Sequence, residues 1–492
     1  MSVLEKKVLS RRDFFKAAGS TLAALTLSGC ASFAMGGPKK QPNVVFILAD
    51  DLGYTDLSCM GGDLYETPNI DKLASQSIRF MQAYSSHSTC APSRIGILTG
   101  KYPARVGAIG HGELRGVIGN GLNMPAEEVT LAEALKSNGY KTYHIGKWHV
   151  GKEGYRPQDQ GFDKVIASNQ SCCPGNYFYP FKSKKKGYSI PDLEDYKPGD
   201  HLTGCLSDKA VQYIEENENS DRPFFLNLWY YAVHTPIAAK KVKIEKYKAK
   251  ITPELHHQNP KYAALIEHLD DGVGRVLEAI DKSGITDNTI VFFFGDNGGE
   301  IRRNITSNYP LRDGKVTPYE GGTRVPLFIR WPGVTKAGSV SDERVIGHDF
   351  YPTILTMTNS KGDPKHNANI DGVDLTAVLK NPKAKLGRDE LHWLRYPLMV
   401  HYKPNGPKKL GPCGTILKGD WKLIEFFELP APAAQKHHFE LFNITKDPYE
   451  KTDLADKMPE KVDELKKFMD AWRKKMDAPV YSPDLYANYK KK

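Results

Sequence analysis

Uninterrupted apolar stretches recur along the chain and predict the strands at the centre of the fold. Residues 43–49 read NVVFILA and residues 289–295 read TIVFFFG, with no alternation of apolar and polar positions. Residues 223–231 and 327–332 have the same character. Stretches of this kind are typical of strands that are buried on both faces of a largely parallel sheet.

Helical patterns fill the intervals between these strands. Thr67-Pro68 predicts the start of a helix that runs through Leu73, and the segment from Thr130 to Glu133 has a capping-box pattern. Residues 260–282 carry apolar side chains at helical spacing. This alternation predicts an α/β fold, in which a large central sheet, mixed but mostly parallel, is sandwiched by helices. We expect this domain to span residues 42–384.

The pattern changes at about residue 385. Residues 391–396, 415–427 and 438–442 predict strands of a smaller antiparallel sheet, and residues 459–476 predict an amphipathic C-terminal helix. We therefore expect a smaller C-terminal subdomain over residues 385–492.

The first 30 residues have the pattern of a targeting signal rather than of folded structure. Residues 10–16 (SRRDFFK) match a twin-arginine motif, and residues 27–30 (LSGC) resemble a bacterial lipobox with Cys30 as the lipidated residue. Residues 31–41 suit a flexible tether. We expect export by the twin-arginine route, to the periplasm or to a lipid anchor on the bacterial envelope. The alternative is an ordinary signal with a chance cysteine.

Charge adds only a weak constraint on partners. The formal net charge of +10 suits a polyanionic partner and equally suits a surface whose charge serves solubility. No nucleic-acid partner is expected, and a membrane contact is expected only through a possible anchor at Cys30.

Oxygen ligands follow two of the predicted buried strands. Asp50-Asp51 comes directly after the first strand, and Asp296-Asn297 comes directly after the strand at residues 289–295. Carboxyl ends of parallel strands are where open α/β sheets bind ligands. An all-oxygen set of three carboxylates and an amide suits Ca²⁺ or Mg²⁺ rather than zinc.

Cys90 opens a short predicted helix, in the sequence CAPSR followed by IGILTG. Pro92 suits the first helical turn, so the thiol lies where free backbone amides favour negative charge, and Arg94 faces the same side one turn later. Three interpretations remain open: an activated thiolate, a precursor of another group, or an incidental buried cysteine.

Four motifs together resemble the formylglycine-dependent sulfatases, the arylsulfatase type of the alkaline phosphatase superfamily. They are CAPSR with LTG, GKWH at 146–149, PLRDGK at 310–315 and EGGTRVP at 320–326. The resemblance implies that Cys90 is oxidised to formylglycine, by a formylglycine-generating or an anaerobic sulfatase-maturating enzyme. It also implies one Ca²⁺ per chain, bound by Asp50, Asp51, Asp296, Asn297 and the modified Cys90.

The same resemblance implies roles for the other motif residues. Arg94, Lys147 and Lys315 would surround the sulfate, and His149 would take a proton from the formylglycine hydrate. His234, in an HTP sequence after the strand at 223–231, or Lys315 would protonate the leaving alcohol. From the residues alone, a strand over 140–149 would place Lys147 and His149 on one face.

The sequence therefore predicts a sulfatase that hydrolyses sulfate monoesters on a sulfated carbohydrate or a small sulfate ester. The alternatives are a phosphodiesterase or phosphonate monoester hydrolase of the same superfamily, and a catalytically silent glycan-binding surface lipoprotein. The loop-rich segment 151–200 is a candidate for substrate specificity. Candidate sugar-pocket residues are His111, Glu113, Arg302 and Arg303.

Overall fold

The computed structural model describes residues 40–110, 123–184, 187–396, 399–403, 406–428, 436–478 and residue 481. The described residues from Gln41 onward form one compact unit. The strands in chain order are β1 (Asn43–Ala49), β2 (Ile78–Phe80), β3 (Ala83–Tyr84), β4 (Lys141–Gly146), β5 (Lys164–Ile166), β6 (Phe224–Trp229), β7 (Thr289–Gly295), β8 (Leu327–Arg330), β9 (Val340–Ser341), β10 (Val345–Ile346), β11 (Glu390–Arg395), β12 (Met399–Lys403), β13 (Gly406–Leu410), β14 (Cys413–Lys418), β15 (Trp421–Phe426) and β16 (His438–Asn443).

Helices connect most of these strands. In chain order they are α1 (Pro68–Ser75), α2 (Cys90–Thr99), α3 (Leu131–Ser137), α4 (Leu202–Asn217), α5 (Lys241–Lys248), α6 (Pro260–Lys282), α7 (Glu320–Thr323), α8 (Phe350–Met357), α9 (Pro364–Asn367), α10 (Thr376–Lys380) and α11 (Pro459–Lys475). Short 3₁₀ turns lie at Ser58–Met60, Pro157–Gln160, Thr286–Asn288, Arg302–Asn304 and Gly347–Asp349. Within the described part of the chain, none of the helices combines the length and hydropathy that crossing a membrane requires.

The central sheet has eight strands in the order β5-β4-β6-β1-β7-β8-β2-β9. Strands β5, β4, β6, β1 and β7 are parallel to one another, and β8 is antiparallel to both of its neighbours. Alternate residues of β1 enter different cores: Val45 and Ile47 pack with α4 and α6, whereas Phe46 and Leu48 pack with α2 and α8. The predicted mixed, mostly parallel sheet sandwiched by helices is confirmed.

The C-terminal sheet is antiparallel, in the order β11-β14-β15-β16, and α11 packs against β14 and β15. This too confirms the predicted fold class. The strand predicted over residues 140–149 was wrong at its end, because β4 stops at Gly146. Gly146 has a φ of 97°, which ends the extended backbone. The hairpin β12–β13 was not predicted.

Candidate active site

The site lies at the carboxyl ends of β1 and β7, beside the ends of β4 and β6. In the sheet register Ala49 pairs with Gly295, so Asp50-Asp51 and Asp296-Asn297 leave the sheet at the same level. Asp51 has a φ of 60°, and its backbone N–H donates to Asp296 Oδ1 at 3.0 Å. The shared register explains why two segments 245 residues apart supply one set of oxygen atoms.

Each carboxylate of this set is paired with one buried cation. Lys147 Nζ lies 2.6 Å from Asp50 Oδ2, and Lys315 Nζ lies 2.6 Å from Asp51 Oδ2. The guanidinium of Arg94 donates from Nε and Nη2 to Asp296 Oδ2, at 2.9 and 2.7 Å. Buried charges of this kind are stable only when they are paired, so the six side chains form one interdependent cluster.

Cys90 begins α2 directly after Thr89, the N-cap residue, and is fully buried beside this cluster. Its Sγ lies 3.3 Å from His149 Nδ1. Ligand atoms of Cys90, Asp50 and Asp296 lie within 4.8 Å of one another. His149 reaches the thiol from beyond the end of β4, with a φ of 63°.

Two oxygen atoms of the set remain without a hydrogen bond from any described group. They are Asp50 Oδ1 and Asn297 Oδ1, and both are buried. Asn297 uses its Nδ2 to donate to Asp51 Oδ1 at 2.9 Å, which leaves its carbonyl oxygen for another partner. Buried polar atoms are seldom left unpaired in folded proteins. A hard divalent cation bound by these oxygens fits the residues present.

The pKa values reflect burial and this pairing. Burial raises the pKa of Asp50 well above its ordinary value, and the charge of Lys147 opposes that rise. Asp51 is also buried, but Lys315 and His234 lower its pKa to about 2. A bound cation would stabilise the ionised form of Asp50.

His234 completes the arrangement from the segment after β6. Its Nδ1 lies 2.8 Å from the carbonyl oxygen of Thr235, to which it donates, and its Nε2 lies 3.4 Å from Asp51 Oδ2. Burial, followed by the charge of Lys315, lowers the pKa of His234 to about 4. The imidazole is therefore uncharged at neutral pH in the free protein.

Sequence patterns did not point to Tyr177, a buried residue of the segment between β5 and α4. Its hydroxyl donates to the carbonyl oxygens of Tyr231 and His234, at 2.6 and 3.0 Å. Tyr177 therefore fixes the backbone that presents His234. A single tyrosine in a loop carries no recognisable spacing, so only the structure places it here.

The predicted sugar-pocket residues have different outcomes. His111 and Glu113 lie outside the described residues. Arg302 Nε donates to Glu300 Oε2 at 2.6 Å, and the charge of Glu300 acts on Lys315 of the cluster. Arg303 is exposed. Of the four residues, Arg302 is thus linked to the site indirectly, through its ion pair with Glu300.

A groove borders the segment that follows GKWH. Its volume is about 1050 Å³, and most of its lining comes from residues 151–192, with Trp148 at one side. The charged side chains of the lining are Lys152, Glu153, Arg156 and Asp192. This is the loop-rich segment that the sequence singled out.

Comparison with known proteins identifies the class. The family model described as Sulfatase matches residues 42–360, and one described as N-sulphoglucosamine sulphohydrolase, C-terminal, matches residues 313–475. A protein of Formosa agariphila named Sulfatase is 32% identical over 484 residues, which cover 85% of each chain. The chain belongs to the sulfatase family and is a sulfuric ester hydrolase.

Two further relatives support this assignment. Arylsulfatase A of Homo sapiens is 35% identical over 390 residues, covering 74% of this chain and 73% of the relative. The crystal structure of Ps i-CgsB in complex with k-i-k-neocarrahexaose has a TM-score of 0.74 and 29% identity, covering 88% of this chain and 92% of the other. The resemblance inferred from the motifs is therefore confirmed.

Proposed function

We propose that this sulfatase acts on a sulfated carbohydrate, with a formylglycine made from Cys90 and one Ca²⁺. The observation that carries the proposal is the position of Cys90. Its sulfur lies 3.3 Å from His149 Nδ1 and within 4.8 Å of ligand atoms of Asp50 and Asp296. A group at position 90 therefore lies next to His149, which can act as a base, and next to the carboxylates of Asp50 and Asp296, which would bind the metal.

The residues that would hold the cation are Asp50, Asp51, Asp296 and Asn297, with an oxygen at position 90 as a further ligand. A bound divalent cation would polarise the nucleophilic hydroxyl of the hydrated formylglycine and lower its pKa. The Oδ1 atoms of Asp50 and Asn297 support this assignment, because neither accepts a hydrogen bond from a described group and Asp50 Oδ1 has only the guanidinium of Arg94 at 3.6 Å.

The protein's own cations prepare the site for an anionic ester. Arg94, Lys147 and Lys315 converge on it as buried positive groups. A sulfate ester resists attack by an oxygen nucleophile until its charge is compensated, and fixed cations in a buried site do this without reorganisation. His149, next to position 90, accepts the proton that is released there.

Proton delivery to the leaving alcohol falls to His234 or Lys315. Despite its burial, Lys315 stays charged at neutral pH because Asp51 raises its pKa. His234 is neutral in the free protein because burial lowers its pKa to about 4. A bound sulfate ester adds negative charge beside the imidazole, which raises its pKa and favours His234 as the proton donor.

The groove supports a carbohydrate rather than a small aryl ester as the natural substrate. A volume of about 1050 Å³ exceeds what the alcohol part of a small ester would fill. The related Ps i-CgsB was solved with a neocarrahexaose. We propose that the groove binds sugar residues on either side of the sulfated one, with Arg302 as a further contact.

Export and maturation complete the proposal. We infer that residues 1–30 direct twin-arginine export, with Cys30 as a lipid anchor on the envelope. Because this route carries folded proteins, a maturation enzyme would convert Cys90 in the cytoplasm before folding.

The decisive experiment is the mass of the tryptic peptide 80–94, in which Cys90 is the single cysteine. We expect an aldehyde in place of the thiol, and hydrolysis of para-nitrophenyl sulfate and sulfated galactan oligosaccharides that Cys90→Ala abolishes. Cys59→Ala, at a half-buried cysteine in a 3₁₀ turn, is the matched control and should retain activity. An unmodified thiol in fully active protein would overturn the proposal.

Calcium is tested by stability as well as by turnover. A ligand that binds only the folded state adds about 2.7 kcal/mol to the free energy of unfolding at about 100 times its Kd. We expect Ca²⁺ to raise the denaturation midpoint, EDTA to reverse this, and Asp50→Asn to remove the effect. The exposed Asp342→Asn is the control. An equal response of both variants to Ca²⁺ would exclude this site.

A further inference from the structure

Two adjacent thiols lie in the segment between β5 and α4 and have no part in the hydrolysis. Cys172 and Cys173 are both half-buried free cysteines. Their sulfur atoms lie 3.4 Å apart, and Cys172 Sγ also lies 3.8 Å from the hydroxyl of Tyr188. Neighbouring cysteines on an extended backbone point to opposite sides, so this approach requires a local turn.

The pair borders both the groove and the catalytic cluster. The groove is lined by Ser168, Asn169 and Gln170 just before the pair, and by Gly187 and Ser189 on the returning chain. Cys172 and Cys173 are themselves half-buried rather than fully buried, so a small reagent can reach them. On the other side, His234, His149 and Lys147 are close enough to Cys172 to interact with it electrostatically.

The two sulfurs differ in character. A hydrogen bond from Cys173 lowers the pKa of Cys172 to about 4, against the effect of burial, and the same bond raises the pKa of Cys173. The sulfur atoms are close enough to share one proton, and the directions of the two pKa shifts make Cys172 the more nucleophilic member of the pair. This division of roles is typical of pairs that exchange with disulfides.

We propose that Cys172 and Cys173 are a site of reversible oxidation that closes to a vicinal disulfide by exchange with a small-molecule disulfide. The Cys172 thiolate attacks one sulfur of the reagent, whose S–S bond breaks and releases one thiolate. Cys173 then loses its proton to solvent and attacks Cys172 Sγ, which releases the second thiol. Relative to the dithiol form, the protein loses two protons and two electrons, and the reagent is reduced to two thiols.

Closure needs only a small movement. The sulfurs must approach from 3.4 Å to a bonding distance of about 2.05 Å. The reaction puts a covalent ring in the segment between β5 and α4, whose residues Ser168, Asn169 and Gln170 line the groove. It does not depend on formylglycine or on turnover, so its test is independent of the proposed function.

The test uses the full chain, reduced and then treated with oxidised glutathione, alkylated with iodoacetamide and digested with trypsin. Peptide 165–182 contains Cys172 and Cys173 and no other cysteine, and peptide 41–72 contains Cys59 alone. We expect peptide 165–182 to carry no alkyl group and to be lighter than the dithiol form by two hydrogens. Dithiothreitol should restore two alkylation sites. Cys59 is the internal control. Burial raises its pKa, so it should remain a thiol during the glutathione treatment and be alkylated once the protein is denatured.

Single variants test the order of attack. Cys173→Ser should stop at a mixed disulfide, with one glutathione retained on peptide 165–182. Cys172→Ser removes the hydrogen bond that raises the pKa of Cys173, but burial still raises that pKa, so the remaining thiol should react more slowly than Cys172 does. Two alkylated cysteines in the treated wild-type protein, or a stable glutathione adduct on it, would overturn the proposal.

Discussion

At the scale of single residues, the site is a set of carboxylate–cation pairs in which neither member is independent. Lys315 shows this most clearly, since its Nζ lies 2.6 Å from both oxygens of Asp51. Lys315→Gln keeps a donor at this position but removes the charge. We expect kcat/KM for an aryl sulfate to fall by about 10²- to 10³-fold, as for loss of one electrostatic stabiliser of the reacting oxygens.

The matched control for this variant is Lys336→Gln, at an exposed lysine in the turn after β8. Its kcat/KM should equal that of the wild type. Thermal unfolding of both variants shows whether a fall in activity is caused by a fall in stability. If Lys315→Gln retained full activity, Lys315 would have no role in binding the sulfate.

At the scale of secondary-structure elements, the end of β4 determines where Lys147 and His149 lie. A Cβ added at Gly146 would lie 2.2 Å from the carbonyl oxygen of Trp229, on the neighbouring strand β6. We expect Gly146→Ala to push the two strand ends apart, and so to lower both activity and the denaturation midpoint.

Gly139→Ala provides the comparison for this substitution. Gly139 also has a positive φ, of 89°, but a Cβ there meets nothing within 4 Å. Gly139→Ala should therefore lower the free energy of unfolding only by the backbone strain, about 1 kcal/mol, and leave kcat unchanged. Equal kcat values for the two variants would show that close packing at Gly146 does not position the site.

Helices α4 and α6 meet through two stacked histidines. The rings of His201, the N-cap of α4, and His268, on α6, lie 3.8 Å apart, and burial lowers their pKa values to about 4 and about 2. Because both folded pKa values lie below the ordinary 6.5, their contribution to stability is complete above pH 6.5 and is lost as the pH falls below it.

His268→Gln should therefore reduce the acid sensitivity of the fold. Glutamine can still accept the hydrogen bond that His268 Nε2 receives from the N–H of Lys240, but it takes up no proton. Between pH 6.5 and 4.5, the free energy of unfolding should fall less steeply in the variant than in the wild type. The difference between the two slopes should be about 1.4 kcal/mol per pH unit. Urea titrations at several pH values measure this slope. The exposed His256→Gln should leave it unchanged.

At the scale of the whole molecule, sequence patterns predicted the type of the sheet and the polar residues that follow its central strands. They were less successful for contacts between distant segments. The buried strands β1 and β7 are continuous apolar runs, so their type and the cluster of oxygen-bearing side chains after them could be predicted. The path of Lys147 and His149 could not, because it depends on how Gly146 packs against Trp229 of another strand. Tyr177 and the thiol pair acquire their positions only from tertiary structure.

The same distinction applies to the EGGTRVP motif. Its first residue, Glu320, begins α7. The Glu320 carboxylate accepts hydrogen bonds from Tyr84 and Lys422, at 3.0 and 2.9 Å. Lys422 lies on β15 of the C-terminal sheet and also contacts Glu450 at 2.8 Å. Burial raises the pKa of Glu450 to about 7 even with Lys422 beside it. A buried ion cluster therefore joins the C-terminal sheet to the segment that follows Lys315.

Lys422→Met tests whether this cluster stabilises the whole molecule. The substitution leaves Glu450 without its cation and Glu320 with only Arg324, at 3.7 Å, which should lower the free energy of unfolding by about 3–5 kcal/mol. Lys418→Met, four residues earlier on the same hairpin, removes a lysine whose partners Asp389 and Glu390 are more exposed, and should cost less than about 1 kcal/mol. Denaturant unfolding followed by fluorescence measures both. Equal costs would mean that the cluster contributes no more than a surface ion pair, and that apolar packing alone holds the C-terminal sheet in place.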